Sequence, residues 1–172
     1  MALNVVLYQP EIPQNTGNIM RTCAGTGVRL HLIRPMGFKL TPKWIKRSGV
    51  NYIEHTDYTV YENWPDFKKN NKGIYVFFTR YGKKSPDRFD FSSQDDEYYL
   101  IFGRESTGIP KYILRDNLDR CLRLPMNDKI RSLNLSNVVS IGLYEALRQR
   151  DYDQLYHEEP ESLKGPDWLL ED

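Results

Sequence analysis

Short apolar runs alternate with stretches of helical spacing along most of the chain. The run LNVVLY (3–8) predicts a first buried strand, closed by Pro10 and Pro13. Residues 15–27 place Ile19, Met20, Cys23 and Ala24 at helical intervals, and Gly25 and Gly27 stop that helix. VRLHLIR (28–34) predicts the next strand. TPKWIKRSG (41–49) predicts a short helix starting at Thr41 or Pro42 and stopping at Gly49, and Tyr52-Ile53 is a short strand at most. An amphipathic helix is expected over 60–71 around Tyr61, Trp64 and Phe67, with Pro65 moving its start later. GIYVFFT (73–79) and EYYLIFG (97–103) are the clearest strands, with the basic loop RYGKKSPDR between them. A short helix over 110–118 starts at Pro110, a strand follows at 121–125, and the longest helix spans 135–150. Alternating strands and helices predict an α/β fold, a mostly parallel sheet with helices on both faces.

A length of 172 residues, with 40% hydrophobic and 27% charged positions, is one globular domain's worth of chain. No apolar run approaches the roughly 20 residues that span a bilayer. MALNVVLYQPEIP lacks the basic start and long apolar core of a signal peptide. Cys23 and Cys121 stand far apart, so neither secretion nor a C-x-x-C site is indicated and the expected compartment is cytoplasmic. The net charge of +1 conceals a division, because residues 151–172 hold eight acids and only Lys164 as a base. The preceding 150 residues keep 23 Lys and Arg against 15 Asp and Glu, a basic body suited to a polyanion. The acidic tail reads as a loosely ordered extension in which Trp168-Leu169-Leu170 could dock back on the body.

Three polar clusters fall where predicted strands end, at 13–22, 102–110 and 124–137, and ligands of open α/β sheets bind at such ends. Gly103 and Gly108 have the glycine spacing of a P-loop, but Ile109-Pro110 replaces the required Lys-Ser/Thr, and no G-x-G-x-x-G follows the first strand. His31, His55 and His157 are scattered. His31 reads as a packing histidine, His55 and Asp57 as ordinary surface and Cys23 as core, so no metal is expected. Asn15, Asn18 and Arg21 share a helix face at i, i+3 and i+6. Glu105, in a turn between two glycines, needs a partner, for which Arg104 and Arg21 are candidates. Ser132 and Asn134 lie in a loop entering the last helix, where Ser136 or Asn137 can cap, and turn chemistry alone is the plainer account of them.

PQNTGNIMRTCAGTG, LIFGRESTGIP and LRLPMNDKIRSLNLSNVVSIGLYEAL resemble the three motifs of SPOUT-class RNA methyltransferases. The opening LYQPEIPQNTGNIMRTC and the short chain resemble the tRNA (cytidine/uridine-34)-2′-O-methyltransferase branch, over roughly residues 1–152, with 153–172 an acidic extension outside the pattern. The resemblance implies a trefoil knot in the C-terminal third. It also implies S-adenosylmethionine held, largely by backbone, against Phe78-Thr79, Phe102-Gly103-Arg104, Leu124-Pro125-Met126 and Ser132-Leu133-Asn134. The reaction it implies is methyl transfer to the ribose 2′-oxygen of the wobble nucleotide. Arg21 would stand beside that oxygen, with Asn15, Glu105, Ser132 and Asn134 completing the site. A guanidinium is a poor base, so Arg21 either is perturbed by a phosphate and Glu105 or only orients the hydroxyl. A homodimer through the first and last helices is implied as well. Arg80, Lys83, Lys84 and Arg88, with Lys39, Lys43, Lys46 and Arg47, are the expected phosphate contacts. A non-catalytic RNA-binding dimer and a 2′-O-methyltransferase acting on rRNA are the alternatives.

Overall fold

The computed structural model describes residues 3–41 and 55–170. The helix expected at 41–49, the strand at Tyr52-Ile53, and Lys43, Lys46 and Arg47 therefore lie outside the described residues.

Strand β1 (Leu3–Tyr8) is buried at every position, as its two-sided apolar pattern requires. Helix α1 (Pro13–Thr26) carries proline in its first turn and runs through Gly25 to Gly27, whose left-handed φ of 65° lets its N–H reach the Cys23 carbonyl. Strand β2 (Arg29–Ile33) follows, and β3 (Tyr58–Tyr61) pairs alongside it. Here the expected helix over 60–71 is corrected. The aromatic and β-branched run YTVY forms a strand, and helix α2 spans Trp64–Asn70, capped by Asn63 accepting from the Asp66 N–H at 2.9 Å. Tyr61, Trp64 and Phe67 do share one cluster, with Phe67 5.3 Å from Tyr61 and 5.4 Å from Trp64 between ring centroids. The helical spacing was thus a real packing pattern split across two elements.

Strands β4 (Ile74–Phe78) and β5 (Tyr98–Phe102) occur as expected. Helix α3 (Lys111–Arg115) is shorter than the expected 110–118, because Pro110 is the cap and a 3-10 turn takes Leu118–Arg120. Strand β6 is only Cys121–Leu122, and α4 covers Leu135–Gln149. Among the described residues the sheet has six strands, all paired in parallel in the order β3-β2-β1-β5-β4-β6. The order reverses between β1 and β5, so the chain leaves those neighbouring strands toward opposite faces, the point in such sheets where ligands usually bind.

Helices cover both faces. On one side Ile19, Met20 and Cys23 of α1 and Val139 and Leu143 of α4 pack on Leu7, Leu100 and Phe102. On the other, Trp64, Phe67, Ile113 and Leu114 pack on Val6, Phe77 and Ile101. Tyr152 and Leu155 still rest on the first core, but the docking expected of Trp168-Leu169-Leu170 does not occur. They form an exposed 3-10 turn, with the Lys164 ammonium 4.1 Å from the Trp168 ring centroid. An acidic segment with so few apolar side chains cannot offset the entropy of fixing it on the body.

Candidate active site

The three polar clusters meet at the carboxyl ends of the strands through one chain of hydrogen bonds. Glu105, in the turn after β5, accepts from the backbone N–H groups of Glu11 and Ile12 at 2.8 and 3.2 Å and from the Asn15 side-chain amide at 3.1 Å. Asn15 Oδ1 accepts in turn from the Asn134 amide at 3.0 Å. Asn134 caps α4, its own Oδ1 accepting from the Ser136 N–H at 2.9 Å and hydroxyl at 2.7 Å. The partner expected for Glu105 was an arginine. Its carboxylate is instead held by amides at the start of α1, where the cap residue Ile12 makes no side-chain bond. Arg104 turns to Gln9 Oε1 instead. A carboxylate near a helix N-terminus also gains from the helix dipole.

A second clasp lies beside the first. The Glu11 carboxylate accepts from the Ser106 N–H at 2.9 Å and hydroxyl at 2.8 Å, and these two bonds hold its pKa below the ordinary value. The loops after β1 and β5 thus grip each other in both directions, Glu11 giving its amide to Glu105 and taking two donors from Ser106. Sequence reasoning passed over Glu11 and Ser106, although Glu11 sits in the QPEIP run and Ser106 adjoins Glu105. The turn closes where the Arg104 and Gly108 backbones bond reciprocally at 3.2 and 2.9 Å. A Cβ on Gly103 would stand 2.3 Å from the Gly108 carbonyl carbon, so only glycine fits there.

Asn15 is buried, whereas Asn18 and Arg21 are exposed further along α1. Arg21 is six residues beyond Asn15, about 9 Å along the axis. Ser132 is exposed two residues before the Asn134 cap. The structure therefore joins Asn15, Glu105 and Asn134 by direct bonds. It sets Arg21 on the adjoining helix face and Ser132 on the adjoining loop.

Neighbouring strand ends β5, β4 and β6 carry the residues expected to hold S-adenosylmethionine. Phe78 is a core side chain, stacked on Phe102 at 4.7 Å, and a Cβ on Gly142 of α4 would lie 2.5 Å from its ring. Only the backbone of Phe78 is left to meet a ligand. The Thr79 N–H is tied to the Leu122 carbonyl at 2.8 Å, while Leu124, Met126 and Leu133 are half-buried around the same edge. The neutral purine of such a cofactor suits these half-buried apolar side chains, and its charged methionine arm would need the exposed backbone and polar groups beside them, such as the exposed Ser132, so the residues present fit it. Among the described residues no group of three or more His, Cys, Asp or Glu is placed to hold a metal, and no helix is long and apolar enough to cross a membrane.

Other titratable groups serve packing. His31 is buried, with Nδ1 2.9 Å from Tyr61 Oη and Nε2 3.1 Å from Asn4 Oδ1, and burial pushes its pKa down to about 4. Burial pushes the Cys23 thiol up to about 12, as suits a core cysteine. Asp57 pairs with Arg29 at 2.7 Å. Arg80, Lys83 and Lys84 are exposed on the loop after β4.

The SpoU rRNA Methylase family model matches residues 2–144. A Bacillus subtilis protein, provisionally named a tRNA (cytidine(34)-2′-O)-methyltransferase, is 49% identical over 156 residues, 90% of this chain and 98% of that protein. An Escherichia coli protein named tRNA (cytidine(34)-2′-O)-methyltransferase is 46% identical over 154 residues, 87% of this chain and 95% of its own. A chain solved in work on the 2-OH methylation of C/U34 on tRNA superimposes with a TM-score of 0.78 at 42% identity, covering 86% of this chain and 95% of that one. At the level of fold, the SpoU methyltransferase AviRb from Streptomyces viridochromogenes, solved with AdoMet, aligns with a TM-score of 0.71 at 24% identity over 87% of this chain and 58% of its own. With a family model spanning most of the sequence and relatives similar along nearly their whole length, the chain belongs to the SpoU methylase family.

Proposed function

We propose that this protein transfers a methyl group from S-adenosylmethionine to the ribose 2′-oxygen of the wobble nucleotide, cytidine or uridine 34, of tRNA. The observation that carries the reading is the bonded frame Glu105–Asn15–Asn134 at the carboxyl edge of the sheet, which anchors the start of the helix that bears Arg21. The named activity of relatives at 46–49% identity supports the same substrate.

When bound, S-adenosylmethionine supplies a methyl on a sulfonium that carries its own leaving group, so no metal is called for. Thr79, Gly103, Leu124, Met126, Ser132 and Leu133 would hold it by backbone groups and short apolar contacts, with Phe78 as the wall behind. Arg21 offers a planar fork of N–H donors, which suits a ribose hydroxyl and its neighbouring phosphate together. Fixing that hydroxyl in line with the methyl converts an encounter into a near-unimolecular step. As the 2′-oxygen bonds the methyl carbon, the carbon–sulfur bond would break to leave a neutral thioether, and the hydroxyl proton would pass to solvent water at the exposed Arg21 face. Glu105 already accepts from three donors and acts as a positioning residue, keeping Asn15 and the start of α1 in place. Ser132, exposed on the loop entering α4, is assigned to the same ribose hydroxyl.

The reading includes a homodimer through α1 and α4, supported by Ile141 and Tyr144, each 48% exposed and three residues apart on α4. It includes a knotted C-terminal third, supported by the course of the chain from edge strand β6 back to α4 against α1 and β1. It places the work in the cytoplasm, with tRNA. Arg80, Lys83 and Lys84, together with Lys46 and Arg47, are assigned to phosphates. Mapping ribose methylation in tRNA from cells with and without this protein tests the function. Methylation at position 34 is expected to vanish without it, and purified protein should restore it in EDTA. An unchanged map, or a missing mark confined to rRNA, would overturn the reading.

A further inference from the structure

The loop from β4 to β5 supplies three of the cations assigned to phosphate, yet its one large exposed aromatic, Tyr81, has no part in that reading. Tyr81 is 69% exposed and sits three residues past the end of β4, at the same sheet edge as the Gly103–Glu105 turn. Its backbone is fastened on both sides. The Thr79 N–H bonds the Leu122 carbonyl at 2.8 Å and the Tyr81 N–H bonds Thr79 Oγ1 at 3.3 Å. Beyond the ring, the Gly82 N–H bonds the Thr79 carbonyl at 3.2 Å and the Arg123 N–H bonds the Lys84 carbonyl at 2.8 Å. Gly82 is pressed so closely on β6 that a Cβ there would lie 2.5 Å from the Leu122 carbonyl carbon. The ring is therefore held out into solvent on a turn with little freedom to fold back. The Arg80 guanidinium lies 5.2 Å from its centroid, and Lys83 and Lys84 follow it, both exposed.

We propose that Tyr81, backed by Arg80, is a stacking platform for an unpaired base in the RNA loop that carries the modified nucleotide. The proposal rests on the tRNA reading above and adds to it a specific contact. A lone aromatic ring among cations offers too little apolar area for a protein interface, but it matches single-stranded RNA. There, flat bases alternate with phosphates, and every base has a face to stack whatever its identity. Holding the ring in advance lowers the ordering cost of binding.

The test uses the whole protein and an anticodon stem-loop RNA with 2-aminopurine placed on either side of the target nucleotide. Wild-type protein is expected to quench the probe on one side. Tyr81→Ala should lose the quench and raise KM about tenfold with little change in kcat, while Tyr81→Phe and Tyr81→Trp keep both near wild type. The salt dependence of binding separates stacking from charge. Its slope should be unchanged in Tyr81→Ala, because stacking releases no counterions, and shallower in a Lys83→Ala, Lys84→Ala double variant. Retained quenching and KM in Tyr81→Ala, in a protein that methylates the RNA, would overturn the stacking role alone. A slope that falls with Tyr81→Ala would mark the loop as purely electrostatic. A wild-type protein that methylates no tRNA removes the functional reading, and the proposal with it, before any variant is made.

Discussion

Asn134 donates its side-chain amide to Asn15 Oδ1 at 3.0 Å, so the residue that caps the last helix also grips the first turn of the first helix. The two residues are 119 positions apart, and Asn15 passes the connection on to Glu105. Asn134→Ala removes the cap oxygen and leaves Asn15 short of a donor, which should cost about 2 kcal/mol in urea unfolding. Asn134→Asp keeps an oxygen for the Ser136 N–H but turns an acceptor toward Asn15 Oδ1. It should unfold later than Asn134→Ala and still transfer methyl groups poorly.

Arg21→Ala is expected to leave the fold and S-adenosylmethionine affinity near wild type, because the expected cofactor contacts come from the ends of β4, β5 and β6. Single-turnover transfer should fall by orders of magnitude, and Arg21→Lys should recover little, since a point charge does not reproduce a planar fork. A loss of less than about threefold, roughly 0.7 kcal/mol at the transition state, would make Arg21 structural and shift attention to Ser132.

His31 makes stability depend on pH. Its folded pKa of about 4 lies below the ordinary 6.5 because burial disfavours the charged ring, with Arg29 acting in the same direction and Asp57 opposing it. Above pH 6.5 both folded and unfolded states hold it neutral and it contributes no slope. Between 6.5 and 4 the unfolded chain takes up a proton that the folded chain refuses, so stability falls with falling pH by up to about 3 kcal/mol. Urea midpoints between pH 4.5 and 7.5 should show this decline, and it should be reduced in His31→Gln. If that variant does not fold, the ring's own titration by NMR in the wild type must still show protonation well below 6.5.

Gly142→Ala forces a methyl toward the Phe78 ring, 2.5 Å from one of its carbons. Phe78 is already stacked on Phe102 and has little room to yield. Overpacking of about 1–3 kcal/mol is expected in thermal unfolding, with weaker S-adenosylmethionine binding by calorimetry as the end of β4 shifts. Unchanged affinity would detach α4 from the cofactor edge.

The sequence made the strands and the longer helices legible because each is written locally, as an apolar run or a 3.6-residue stripe. Residues 58–61 escaped because YTVY runs straight into Trp64 and Phe67 and presents one continuous apolar spacing across a strand and a helix. The three polar clusters were visible as composition, and their meeting followed from the strand ends. The partners of Glu105 were not visible, because two of them are backbone amides, which carry no residue signature. An opposite charge was the expected partner, with Arg104 and Arg21 the candidates, and the fold turns Arg104 to Gln9. Tyr81 was hidden by its neighbours, since a tyrosine within RYGKK reads as one more position in a basic loop.

Pairing β1 with β5 joins Leu3 to Tyr98, and the Glu11–Glu105 bond spans 94 positions. During synthesis the first strand and the start of the first helix must therefore wait, with neither their central neighbour nor their carboxylate, until more than a hundred residues have left the ribosome. Closing so long a loop is entropically slow, and parallel pairing gives little local reward on the way. The nascent chain spends that interval with LNVVLY uncovered, a segment well suited to pairing with the wrong strand. Refolding should therefore lose yield steeply as concentration rises, and the methyl-transfer site should be the last part of the molecule to form.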